Sequence, residues 1–107
     1  MAFDIDQTLK QMGTAMASVL AGEWPKVQAC VTQALQAERD VLSAIAEARL
    51  AGEIDDDELK SQLEDEKGAL QAALLVCKIS AEVMAQQAVN AAMRVPADAI
   101  DVALKAL

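Results

Sequence analysis

An all-α fold, an antiparallel helical hairpin or bundle of three main helices with a short C-terminal helix, is what this sequence predicts. Three observations carry the prediction. Alanine fills 23 of 107 positions while aromatic residues make up only 2%, and alanine combines the highest helix propensity with the smallest side chain, which favours long helices in close contact. Apolar residues recur at three- and four-residue steps, with no alternating β-branched pattern. The few glycines and prolines fall mostly where that period resets.

The first helix is expected over about residues 4–21. Asp4 can cap the amides that follow, with Gln7 three residues on to reciprocate, and Ile5, Leu9, Met12, Met16 and Val19 form one stripe. Gly22 suits a left-handed cap, and Pro25 suits the first turn of a second helix over about 25–51. Its stripe is Val27, Val31, Ala34, Leu35, Val41, Leu42, Ile45 and Ala48. Trp24 is expected to pack over the corner between the two helices.

The segment Leu50 to Glu66 carries eight acids in seventeen positions, and its Gly-x-Ile-x-x-x-Glu pattern resembles the second half of a calcium loop. With Gly52 at the sixth loop position, the first, third and fifth are Glu47, Arg49 and Ala51. A cation and a methyl group then stand where oxygen ligands are required. A helix corner accounts for every residue: Gly52 ends one helix, Ile54 folds back, Asp55 and Glu58 form a capping box, and Asp56 and Asp57 favour the positive end of the helix dipole.

The third helix is expected to run unbroken from about 56 to 94, with Gly68 a soft spot. At 1.5 Å per residue that is about 58 Å against about 40 Å for the second helix, so its distal half overhangs. Beyond residue 69 both of its sides are apolar, with Leu75, Val76, Ile79, Val83 and Met93 opposite the main stripe. The expected cover is a second copy of the chain, a dimer closing on Ala81, Ala85, Ala88 and Ala92, with a monomer whose terminal helices fold over helix 3 as the alternative. Pro96 then starts or kinks a short last helix over about 97–106, and residues 1–107 are expected to form one domain.

Composition narrows function. With a net charge of −8, nucleic acid is an improbable partner, and amphipathic association with a membrane is disfavoured. The most apolar stretch is interrupted by Lys78, Glu82, Gln86, Gln87 and Asn90, which excludes a membrane span. No leader pattern opens the chain, so the cytoplasm is the expected location. The chain contains no histidine, and no serine elbow or glycine-rich phosphate loop, so no catalytic residue and no cofactor are expected. Cys30 and Cys77 read as two buried, inert thiols.

One pair of side chains stands out. Glu38 and Glu66 fall near the centres of the stripes of helices 2 and 3, each fourteen residues from Gly52, so a hairpin brings them to one level. They can form ion pairs with Arg39 and Lys67, share a proton, or hold a metal in a ferritin-like carboxylate bundle. The expected function is a non-enzymatic, self-associating assembly or adaptor protein, with the metal-binding bundle as the alternative and a basic protein as a candidate partner of the acidic tip.

Overall fold

The computed structural model describes residues 3–107, and residues 1 and 2 of the expected domain lie outside that range. Every regular element among the described residues is helical: α1 (Ile5–Leu20), a 3-10 turn (Ala21–Glu23), α2 (Trp24–Ala37), α3 (Arg39–Leu50), α4 (Asp56–Leu75) and α5 (Glu82–Lys105). The all-α expectation holds at this level. No helix among them is long and apolar enough to cross a membrane.

Helix α1 starts as its sequence dictates, with the Gln7 backbone N–H donating to the Asp4 carboxylate at 3.1 Å. Its stripe, Leu9, Met12, Met16 and Leu20, is buried. The exit differs from expectation. Ala21, not Gly22, takes the positive φ of 46°, and Gly22 continues into the 3-10 turn. Trp24 opens α2 and is half-buried against the core, as the corner reading requires.

The corner at Gly52 matches the local reading bond for bond. Gly52 has φ 77°; its N–H donates to the Arg49 carbonyl at 3.1 Å, and the Glu53 N–H donates to the Ala48 carbonyl at 2.9 Å. These two bonds satisfy carbonyls that the end of α3 would otherwise leave open. On the far side, Glu58 N–H donates to Asp55 Oδ1 at 2.8 Å and Asp55 N–H to Glu58 Oε1 at 3.2 Å. Arg49 spans the corner to Asp56 at 2.8 Å. The cation that spoils a calcium loop is the one that clasps the turn.

Four expectations are corrected. The 25–51 helix bends at Glu38, whose N–H donates to Leu35 rather than one residue further back; the joint rephases the stripe and leaves Val41 45% exposed. The 56–94 helix is broken at residues 76–81, and the chain folds back. A rod of about 58 Å would exceed the longest dimension of the molecule, 41 Å. Pro96 does not start a new helix but lies buried inside α5. Finally, half of the alanine face set aside for a second copy is covered within the chain: Ala88 and Ala92 are fully buried, Ala81 and Ala85 only half-buried, and α5 packs most extensively on α1. Small side chains there let the two helices approach closely.

The main core draws on all five helices, α3 through Leu42. A smaller cluster of Phe3, Ala46, Ile100 and Ala103, flanked by Leu50 and Leu59, closes the end of the bundle near Gly52.

Candidate functional site

Two places combine unusual chemistry with a defined position. The first is the Glu38–Glu66 pair. Glu38 lies at the joint between α2 and α3, belonging to neither helix, and Glu66 lies midway along α4. Both are half-buried. Neither of the expected cations serves them. Arg39 turns away to Asp6, with Nε 2.9 Å from Oδ1, and to Asp40, while Lys67 lines a groove between α4 and α5.

What remains is a carboxyl pair without a cation. Burial first, then the hydrogen bond and the charge of Glu66, push the Glu38 carboxyl up to about 7. Glu66 Oε2 is buried with no donor. A proton on Glu38 removes the repulsion between the two carboxylates. Arg39 has the opposite effect on Asp6, holding its carboxyl below the ordinary range through a direct hydrogen bond and its charge. Two adjacent residues, Glu38 and Arg39, thus face different elements with opposite electrostatic outcomes.

The second place is the corner of residues 76–81. It contains no glycine or proline, and Lys78 adopts a left-handed φ of 57°, a conformation that costs a non-glycine residue about 1–2 kcal/mol. Distant parts of the chain hold it. Cys30 on α2 and Cys77 form a disulfide, with their Cα atoms 5.6 Å apart, which corrects the reading of two free thiols. Glu23 Oε1, from the 3-10 turn, accepts the Ser80 N–H at 2.9 Å. Those hydrogen bonds from Ser80 lower the Glu23 carboxyl below its ordinary range.

Residues beside this pinned corner are unusually bare. Leu75 is 74% exposed, Val76 76% and Val83 63%. A groove of 290 Å³ adjoins them, lined by Leu74, Leu75, Ala85 and Val89 together with Gln71, Glu82 and Gln86. Of the second apolar side expected for the distal helix, Met93 is buried and Ile79 is half-buried against the core, while Leu75, Val76 and Val83 remain exposed around the turn.

Three acids of the tip have structural partners. Asp55 and Glu58 cap α4, and Asp56 holds Arg49. Sequence reasoning brought Glu38 and Glu66 together correctly but missed the disulfide, although the same count could have found it. Cys30 lies 22 residues before Gly52 and Cys77 25 after it, nearly level across the same hairpin.

Compared with models of protein families, with curated proteins and with solved structures, the chain finds no match.

Proposed function

We propose that this chain is a non-enzymatic adaptor or assembly protein that associates with a second copy of itself through the corner of residues 76–81. The observation that carries the reading is the bare cluster of Leu75, Val76 and Val83. Charge supports a second copy as the occupant. Residues 69–83 carry two opposite charges, Lys78 and Glu82, that cancel, in a chain whose net charge is −8, so two copies repel each other least where these faces meet. The disulfide and the Glu23–Ser80 bond hold the cluster in a fixed shape, which lowers the ordering cost of binding.

Magnitude sets the expected strength. Burying three such side chains contributes about 1.5–3 kcal/mol each, against an association cost of about 4–15 kcal/mol. The result is weak, reversible pairing that depends on concentration. Light scattering across a concentration series is expected to show average mass rising toward the dimer. Leu75→Asp combined with Val76→Asp should hold the protein monomeric with unchanged helical content. A parent protein that stays monomeric at the highest soluble concentration refutes the reading.

The disulfide also supports oxidising surroundings over the cytoplasm expected from sequence, since such bonds persist mainly outside reducing compartments. Mass measurement of protein isolated in the presence of an alkylating agent tests this, with neither Cys30 nor Cys77 expected to carry the adduct. The metal-binding alternative would rest on Glu38 and Glu66, because among the described residues no third carboxylate or thiolate joins them. Di-iron bundles of that type use four glutamates and two histidines.

A further inference from the structure

The geometry points to the groove between α4 and α5 as a docking site for an acidic peptide segment of a partner protein, a proposal that rests on the adaptor reading and gives the adaptor something to hold. Lys60 and Lys67 on α4 and Arg94 on α5 line a groove of 380 Å³, with Leu63, Met93 and one carboxylate, Glu64, among the other lining groups. Three of the chain's nine cations therefore converge on one surface of a strongly acidic protein. Their spacing follows from the helices: Lys60, Leu63 and Lys67 lie at three- and four-residue steps on one face of α4, as do Asn90, Met93 and Ala97 on α5.

These cations are unspent. Of the three arginines, Arg39 is paired with Asp6 and Arg49 with Asp56. Among the described residues Arg94 forms no ion pair, and neither do Lys60 and Lys67. A guanidinium fork with a lysine ammonium group on either side matches carboxylates presented in series. Lys60 and Lys67 are about 10 Å apart along α4, two helical turns, and a single small anion cannot bridge that distance. A peptide carrying acids at intervals can, while its apolar residues cover Leu63 and Met93. Charge complementarity thus selects an acidic segment over a basic one.

The test is fluorescence anisotropy with a labelled peptide of glutamate and leucine and a matched peptide of lysine and leucine, on the full chain with its disulfide intact. The acidic peptide is expected to bind and the basic one not, with affinity falling as salt is raised. Arg94→Glu with Lys67→Glu should weaken binding by about tenfold or more, with unchanged helical content. Lys10→Glu, in a different groove between α1 and α2, should leave it unchanged. Equal binding of both peptides, or indifference to the charge reversals, overturns the proposal. Displacement by inorganic phosphate as readily as by unlabelled peptide would also overturn it, in favour of a simple anion site. Repeating the titration on the Leu75→Asp, Val76→Asp variant separates the two readings, because retained binding there shows that the groove acts whether or not the corner self-associates.

Discussion

The two reversals that flank α4 are built by opposite means. At residues 51–55 the turn is written locally: Gly52 supplies the left-handed backbone, Asp55 and Glu58 close a capping box, and Arg49 clasps Asp56. At residues 76–81 no residue favours a turn, and Lys78 sits left-handed against its preference. That corner exists because a disulfide to α2 and a hydrogen bond from Glu23 hold it, and because folding back buries Ala88, Val89, Ala92 and Met93. One corner is determined by its own residues; the other is determined by what lies 47 residues away.

Breaking the long-range link gives the largest expected effect. Loop-closure entropy for a 47-residue separation corresponds to about 4 kcal/mol. Reduction, or Cys30→Ser with Cys77→Ser, should lower the denaturation free energy by about that amount. Hydrogen exchange should accelerate first at 76–81 while the 51–55 turn stays protected. Equal loosening of both corners would erase the distinction.

The bend at Glu38 extends the comparison to a third turn, one without glycine or proline. Its raised carboxyl stabilises the folded state in the protonated form. That contribution is fully present below the ordinary value of 4.5 and is lost as pH rises toward about 7. Discounted for partial solvent exposure, the loss is about 1–2 kcal/mol. Glu38→Gln should flatten this slope in chemical denaturation between acid and neutral pH, and should exceed the parent in stability above pH 7.

Smaller effects test the corners from within. Gly52→Ala should cost about 1 kcal/mol, because alanine disfavours the left-handed conformation and no neighbouring atom crowds the added methyl. Lys78→Gly should do the reverse and raise stability by about 0.5 kcal/mol, the relief of backbone strain exceeding the added chain entropy. A loss at Lys78→Gly would mean that the side chain itself secures the turn.

Legibility in the sequence follows the same division. Asp4, Gly52, Asp55 and the stripes of α1 and α4 could be read because each depends on neighbours three or four residues away. The pairing of Glu38 with Glu66 also emerged, since a correctly placed corner converts equal sequence distances into one level. The break at 76–81 could not, because Val76 to Ser80 contains neither glycine nor proline and only tertiary burial overrides the helical period. Pro96 misled for a related reason. Proline disfavours a helix interior on local grounds, yet here it is buried inside α5. The bend at Glu38 had one visible mark, an acid in the centre of an apolar stripe.

The bond between Cys30 and Cys77 turns the middle of the chain into a closed ring that contains both bends of the α2–α3–α4 run and the exposed Asp55–Asp57 tip. A protease that cuts this tip therefore opens the ring without releasing either piece. The nicked protein would migrate as one species until a reductant is added, and α1 and α5, which lie outside the ring, would remain tethered to opposite halves of a molecule still held in one piece.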